Sequence, residues 1–286
     1  MPTPANRSAR TLVRGLVDAI LPQTCCACGT WISGGAHVCP DCHSRIAAEI
    51  ARPHCPHCGR TLPRSAIHGK RCAHCRIETF WNVAGIARVG LYQDQLQALL
   101  SGLKYRRGRE RNAEYLANWL ATALRNQSWL PDIEALVPVP MHWIRRAQRP
   151  CDHALLLAEA LSRRINVPVL RVVRRPRYAL SQVGITTRAQ RFANVKDCFT
   201  PVHRLARRVA GRTVCIIDNL LVTGATVCEV SKVLRRAGAK RIYAAVLARP
   251  SDHGGLATLP SSDVSAVPAL RNDDRPGPDQ DDDVRD

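Results

Sequence analysis

The sequence VCIIDNLLVTGAT, residues 214 to 226, contains the pattern that decides the fold. Its apolar start predicts a buried strand over residues 214 to 217, which Asp218 ends. Its small residues, 223 to 226, predict a surface turn that opens a helix. Backbone N–H groups at a helix N-terminus attract anions, so we expect this turn to bind a phosphate. Asp218 would then bind the hydroxyls of a sugar phosphate, although an acid before such a turn can also serve only as a helix cap.

Alternating strands and helices surround this stretch. Such alternation predicts an α/β fold, a mostly parallel sheet with helices on both faces. Sheets of this kind place their chemistry at the carboxyl ends of the strands, next to helix N-termini. The pattern predicts strands over residues 83–91, 133–139, 167–173, 214–217 and 241–248, and helices over residues 96–103, 113–125, 153–165, 188–194 and 225–237.

The chain contains thirteen cysteines, and eight of them form four C-x-x-C pairs. Each pair turns two sulfurs toward one metal, and two pairs complete a closed tetrahedral site of the structural kind. We therefore expect two structural zinc ions in tandem ribbons over residues 25–42 and 55–75. A disulfide framework or a redox motif is the less favoured alternative. The expected ligands are Cys25, Cys28, Cys39, Cys42, Cys55, Cys58, Cys72 and Cys75, which leaves the nearby His54, His57, His68 and His74 as surface residues.

Residues 214 to 226 resemble the phosphate-binding motif of the type I phosphoribosyltransferases, strand-D-D/E-x-x-T-T-G-x-T-helix. Four cysteine pairs ahead of such a motif resemble the ComF family of competence-associated proteins. The segments LKY (103–105), VPVPMH (137–142), QVG (182–184) and NV (194–195) add to this resemblance, which spans residues 12 to 249. It implies a double zinc ribbon followed by a phosphoribosyltransferase-like domain that binds phosphoribosyl pyrophosphate, with Mg²⁺ as a companion ion. The implied binding residues are Asp218, Asn219, Thr223, Gly224, Ala225 and Thr226.

The chain departs from the family pattern at three places. Asn219 stands where the motif usually has a second acid, and Val222 where it has a first Thr. Relatives read R-G-F/Y-N-Q where residues 149 to 153 read RPCDH. Each lost hydrogen bond to a ligand costs about 1–3 kcal/mol. Phosphate binding is therefore expected to survive these changes better than transferase catalysis.

The sequence divides into four expected regions. These are an amphipathic helix over residues 1–24, the double ribbon over 25–78, the transferase-like domain over 82–250 and a disordered acidic tail over 251–286. No apolar run approaches the ~20 residues of a membrane-spanning helix. Arg14 and Asp18 interrupt the N-terminal apolar residues, which argues against a secretory signal, so we expect a cytoplasmic protein, with an organellar transit peptide as the weaker alternative.

Charge is distributed unevenly along the 286 residues, whose formal net charge is +19. Nine Asp and three Arg give residues 251 to 286 a net charge of −6, which leaves +25 for residues 1 to 250. Such an excess indicates an anionic partner, with a merely solvated basic surface as the alternative. The basic loop before the motif, with Arg174, Arg175, Arg177 and Arg188, either closes over the site or is solvated. With 45% hydrophobic residues the chain can bury a core, which excludes wholesale disorder.

Three functions are compatible with these features. The resemblance implies a ComF-like protein of DNA uptake that binds phosphoribosyl pyrophosphate or single-stranded DNA and works with competence machinery proteins. The second is an active phosphoribosyltransferase for an unknown base or amine. The third is a non-enzymatic zinc-ribbon adaptor that binds nucleic acid or protein. An aromatic content of 5% argues against extensive stacking of bases on the protein.

Overall fold

The computed structural model describes residues 23–33, 36–68, 71–77, 80, 82–105, 109–148, 151–179, 185 and 187–251. The expected N-terminal helix and acidic tail therefore lie outside the described residues, apart from residues 23, 24 and 251. Residues 149 and 150 and the QVG segment also lie outside them.

A four-stranded parallel sheet forms the centre of the fold, as expected from the alternating pattern. The strands are β1 (Gln23–Thr24), β2 (Trp31–Ile32), β3 (Ile67–His68), β4 (Arg71–Cys72), β5 (Ile86–Leu91), β6 (Ala135–Pro138), β7 (Val173–Arg174), β8 (Thr200–Pro201), β9 (Thr213–Leu220) and β10 (Arg241–Arg249). The strand order of the central sheet is β5-β10-β9-β6, and all three of its pairings are parallel. Three further sheets among the described residues are two-residue antiparallel pairs, β1-β2, β3-β4 and β7-β8.

Helices and the cysteine-rich segment cover both faces of this sheet. On one face Leu99, Leu120 and Leu157 join the apolar residues of the sheet, and on the other face Val230 and the second cysteine quartet do so. Burial on both faces explains why the strands are nearly continuous apolar runs. The helices are α1 (Pro40–Ala51), α2 (Ala73–Ile77), α3 (Asp94–Tyr105), α4 (Arg109–Arg125), α5 (Trp143–Gln148), α6 (His153–Ile165), α7 (Arg188–Val195), α8 (His203–Ala206) and α9 (Ala225–Arg236), with short 3₁₀ turns at Arg64–Ala66, Leu130–Asp132 and Arg207–Val209.

The strand expected over residues 167 to 173 is wrong in most of its length. Leu136 and Val169 form an isolated parallel bridge, in which Leu136 donates to Pro168 O and accepts from Leu170 N. The next rung would need an N–H from Pro138, which proline lacks. The segment therefore leaves the edge of the sheet, and its only strand residue is Val173, the first of β7.

The motif strand is longer than its apolar run. β9 continues through Leu220, and Asp218 lies opposite Val246 of β10. Asp218 therefore lies within the paired strand rather than ending it. No helix in the described part of the chain is long and apolar enough to cross a membrane.

Candidate phosphate loop and metal centres

The loop between β9 and α9 forms a small open pocket at the carboxyl edge of the sheet. Gly224 is the N-cap of α9, in the left-handed conformation with φ of 81°, and Cys228 N donates to its carbonyl. The N–H groups in the first turn of α9 have no intrahelical acceptor by helix geometry, and a helix N-terminus of this kind attracts anions. Among them, Ala225 N donates to Thr223 Oγ1 at 3.4 Å. Together with the solvent at its open mouth, the pocket encloses about 230 Å³, and it is lined by Asp218, Leu220, Leu221, Val222, Thr223, Gly224, Ala225, Thr226 and Val227.

Gly224 is buried, so the expected surface turn is wrong at this residue. A Cβ atom there would lie 2.3 Å from Phe80 Cε1. Phe80 is itself buried, and it precedes the first strand of the sheet, so it covers the loop from outside the motif. No sequence pattern indicates this role for Phe80, because nothing local shows which distant turn an isolated aromatic residue contacts.

Asp218 lies in the pocket wall, whereas Asn219 does not line the pocket. Successive residues of a strand point to opposite faces, which separates the two side chains. Burial raises the pKa of Asp218 to about 6, against the opposing field of Arg175 and the N–H that Asn219 donates to its Oδ1. Asn219 Oδ1 is buried without a hydrogen-bond partner among the described residues. The structure therefore brings five of the six expected residues together, with Asn219 outside.

Two of the four arginines of the basic loop lie near this pocket. Arg188 Nη1 donates to Thr223 O at 2.6 Å, and its guanidinium lies over the rings of Phe192 and Phe80, 4.7 and 5.9 Å from their centroids. Arg175 is half-buried, and its charge acts on Asp218. By contrast, Arg174 donates to Thr200 Oγ1 and Arg177 to Lys196 O on the exposed surface.

His142, the last residue of the VPVPMH segment, lies at the same edge of the sheet, and its sequence context does not indicate a role. Its Nε2 lies 3.1 Å from Pro176 O, and its Nδ1 lies 3.3 Å from Ile144 N. One nitrogen must donate and the other accept, which is the neutral tautomer, and burial lowers the pKa of His142 accordingly. Its position four residues after the end of β6 was the available signal, because the carboxyl ends of parallel strands meet at one edge of the sheet.

The eight paired cysteines form the two expected quartets. The ligand sulfurs within each quartet lie within 4.8 Å of one another. Sulfur–sulfur distances of 3.7 Å join Cys28 to Cys39, Cys55 to Cys75 and Cys58 to Cys72. Tetrahedral zinc with Zn–S bonds of about 2.3 Å requires a sulfur separation of about 3.8 Å, whereas a disulfide requires about 2.0 Å. Both quartets therefore fit zinc and not disulfides.

Local geometry favours metal binding at both quartets. Gly29 and Gly59 follow the second cysteine of their pairs with φ of 81° and 72°, the left-handed turn that a knuckle requires. A hydrogen bond with Thr30 lowers the pKa of Cys28 to about 6. A hydrogen bond with Cys58 lowers the pKa of Cys55 to about 4. Each quartet thus contains one thiol that ionises readily, whereas burial raises the pKa of Cys42 in the first quartet and of Cys75 in the second. A bound cation would favour the thiolate form of all four sulfurs, which is the form that binds metal.

The expectation that the neighbouring histidines are surface residues is wrong for His57. This residue is buried, its ring meets Phe80 edge-on at 6.2 Å, and its Nδ1 lies 3.4 Å from Ala84 O. His54 is half-buried, whereas His74 is exposed. His57 is buried because the second ribbon packs against the sheet, a contact between distant segments.

Comparison with family models gives two matches. The Double zinc ribbon domain matches residues 16–78, and the Phosphoribosyl transferase domain matches residues 150–268. The first match contains both cysteine quartets, and the second contains β9, the pocket loop and α9. The α/β fold with an N-terminal double ribbon is thereby confirmed.

Three curated relatives match over most of their length. Competence protein F of Haemophilus influenzae is 31% identical over 219 residues, which is 74% of this chain and 90% of the relative. DNA utilization protein YhgH of Escherichia coli O157:H7 is 28% identical over 80% of this chain and 98% of its own. Competence protein ComFC of Bacillus subtilis (strain 168) is 28% identical over 70% and 79%. This chain, with its double zinc ribbon ahead of a phosphoribosyl transferase domain, therefore belongs to the ComF family.

Proposed function

We propose that the chain binds the 5-phosphate and ribose of a phosphoribosyl compound, such as phosphoribosyl pyrophosphate, at the β9–α9 loop. One observation carries this proposal: the left-handed turn at Gly224 opens the N-terminus of α9 into a pocket whose wall contains Asp218. Relatives named for competence and DNA utilization support a role in DNA uptake, together with competence machinery proteins.

Two kinds of protein group bind the two parts of the ligand. Backbone N–H groups of the first turn of α9 and the hydroxyl of Thr226 bind the phosphate, to which the helix dipole adds attraction. The carboxylate of Asp218 accepts hydrogen bonds from the ribose hydroxyls. Because Asn219 points away, the site offers one carboxylate. Any Mg²⁺ would depend mainly on the phosphates of the ligand itself.

Zinc is proposed at both cysteine quartets. Four protein thiolates complete each tetrahedral site and leave no open position, so the role of both ions is structural. Where the structure describes them, residues 23 to 77 form short β-hairpins, turns and the helices α1 and α2. This segment has few large apolar side chains, and metal ligation stabilises such segments.

Affinity for phosphoribosyl pyrophosphate is expected to fall about tenfold between pH 7.5 and pH 5.0. The pKa of Asp218 is about 6, so its carboxylate is almost fully ionised at the higher pH and about one tenth ionised at the lower, where it no longer accepts from a hydroxyl. Isothermal titration calorimetry with Mg²⁺ present measures both affinities.

The Asp218→Asn variant is the matched control. It retains the phosphate loop but has no ionisable group at residue 218. Its affinity should therefore change with pH only because the phosphates of the ligand titrate, an effect that the wild type shares. An identical pH dependence in the two proteins would remove Asp218 from the site. Absence of binding to either protein at pH 7.5 would overturn the phosphate-binding function itself.

A second candidate function is binding of single-stranded DNA, which an exposed aromatic residue in a basic surface favours. Trp143, at the start of α5, is 60% exposed. Arg145 lies over the Tyr178 ring at 5.6 Å and donates to Ala179 O, which joins α5 to the segment after β7. Together residues 141–148 and 171–179 contain six arginines and no acid. Such surfaces suit single strands, whose bases stack on aromatic rings while arginines contact phosphates.

Trp143→Ala is expected to weaken single-stranded DNA binding about 5- to 150-fold, which is the loss in affinity when one base no longer stacks on an aromatic ring. The salt dependence should not change, because it depends on contacts between arginines and phosphates. Fluorescence anisotropy of a labelled oligothymidine between 50 and 300 mM salt provides the measurement. Trp31→Ala is the control, because Trp31 is similarly exposed at 68% but lies in the first ribbon. Equal losses in both variants, or none in either, would favour the adaptor function over this surface.

A further inference from the structure

We infer that Arg88 and Arg249 are the buried counter-charges of the second zinc–thiolate centre and fasten that ribbon to the sheet. The inference rests on the proposed assignment of zinc to Cys55, Cys58, Cys72 and Cys75. The two arginines belong to β5 and β10 of the central sheet, whereas all four thiolates belong to the ribbon. The sheet thus supplies the cations for a centre whose ligands come from another part of the chain.

Arg88 is a buried cation whose guanidinium makes no hydrogen bond to any of the described residues. Its side chain is 1% exposed. The guanidinium nitrogens Nε, Nη1 and Nη2 have no hydrogen-bond acceptor in the part of the chain that the structure describes. Burial of an unpaired charge is costly, so a buried arginine is normally matched by an anion. We therefore expect a negative charge close to the Arg88 guanidinium.

The turn at Cys58 and Gly59 lies against both arginines. A Cβ atom at Gly59 would lie 3.6 Å from Arg88 Cδ. Arg249, which is also buried, donates from Nη1 to Cys58 O at 2.5 Å. Both side chains therefore converge on the turn that carries one of the four thiolates.

Charge and burial explain why the second centre needs these cations and the first does not. Zn²⁺ with four thiolates carries a net charge of −2, which two guanidinium groups balance. Every cysteine of the second quartet is buried, whereas Cys28 of the first is exposed and Cys39 is half-buried. Water screens the first centre, but the interior around the second has a low dielectric constant, where only a nearby cation can compensate the charge.

Glu49 is the competing anion for Arg88, and its other contacts argue against it. Its Oε1 lies 2.7 Å from Arg52 Nη2, and its Oε2 accepts from Leu91 N at 3.1 Å. Both carboxylate oxygens are thus engaged by groups other than Arg88. Glu49 and Cys58 both attract the Arg88 guanidinium. We infer that the metal centre is the main counter-charge, because four thiolates on one zinc ion carry a net charge of −2, whereas Glu49 shares its single charge with Arg52.

The test is the rate at which a coloured chelator removes zinc from the full-length protein. The wild type should release two zinc ions in two phases, and Cys28→Ser should assign the fast phase to the first centre by removing it. Arg88→Met keeps the length of the side chain without its charge and should accelerate the slow phase at least tenfold. Arg88→Lys should restore most of the wild-type rate, and Glu49→Gln should leave the slow phase unchanged.

Cobalt substitution supplies a readout that looser packing alone would not produce. Removing a cation beside the sulfurs raises the energy of their electrons, so the thiolate-to-cobalt charge-transfer band of Arg88→Met should move to longer wavelength. If Arg88→Met cannot be purified in folded form, the zinc-release rate and the cobalt spectrum of Arg249→Met provide the same test.

The measurements test the presence of zinc and the counter-charge role of the arginines separately. Wild-type protein with fewer than two zinc ions would overturn the assignment of zinc to the quartets. Two zinc ions with unchanged release rates and cobalt spectra in the arginine variants would overturn the counter-charge role alone. If Glu49→Gln accelerates the slow phase of zinc release as much as Arg88→Met does, Glu49 is the counter-charge of Arg88 and the metal centre is not.

Discussion

Cys55→Ser is expected to reduce the zinc content from two ions per chain to one and to destabilise the whole transferase-like domain. Cys55 is fully buried, and its quartet belongs to the same apolar cluster as Ile216 and Val246 of the central sheet. Loss of the ion would therefore expose part of one face of the sheet as well as unfold the ribbon, while α9 continues to cover the rest of that face. Losses of structural metal are among the largest single-residue effects, so we expect about 4 kcal/mol, or about 10 °C in Tm.

Elemental analysis and differential scanning calorimetry measure these two effects. Cys28→Ser should also remove one zinc ion but lower Tm less, because Cys28 is exposed at the rim of the first centre. Cys151→Ser, outside both quartets, should retain two ions and the wild-type Tm. A zinc content near zero in reduced wild-type protein, or an unchanged content in Cys55→Ser, would contradict the assignment.

Gly224→Ala is expected to abolish binding of phosphoribosyl pyrophosphate and to destabilise the fold by about 2–5 kcal/mol. The left-handed conformation at φ of 81° costs alanine about 1–2 kcal/mol. The contact of the new methyl group with Phe80 adds the cost of overpacking, about 1–3 kcal/mol. Relief of that contact must displace either Phe80 or the loop that binds phosphate. Calorimetric titration and denaturant unfolding measure the two losses.

Gly211→Ala is the matched control for this substitution. Gly211 has φ of 72°, and a Cβ atom there would lie within 4 Å of no described residue other than its two chain neighbours. It should therefore show the backbone cost alone, about 1–2 kcal/mol, with normal ligand binding. Combining Gly224→Ala with Phe80→Leu should restore part of the stability lost to the clash. Normal ligand binding by Gly224→Ala would show that the loop does not hold the phosphate.

Residue spacing along the chain was sufficient to predict the metal quartets and the parallel sheet. C-x-x-C pairs are local turns, and each needs only one similar partner nearby in sequence to complete a site. The strand and helix periods are local as well, and the strand–turn–helix motif at residues 214 to 226 placed most of the pocket residues. The strand expected over residues 167 to 173 was wrong because Pro138, in a different strand, ended its pairing.

Contacts between distant segments decided the rest. Burial of Gly224 depends on Phe80, burial of His57 and Arg88 depends on the ribbon lying against the sheet, and the raised pKa of Asp218 depends on its surroundings. Each of these properties is set by atoms that are many residues away in sequence. Local patterns encode backbone conformation and the direction of side chains, whereas the dielectric environment and steric limits at a residue exist only once remote parts of the chain have packed around it.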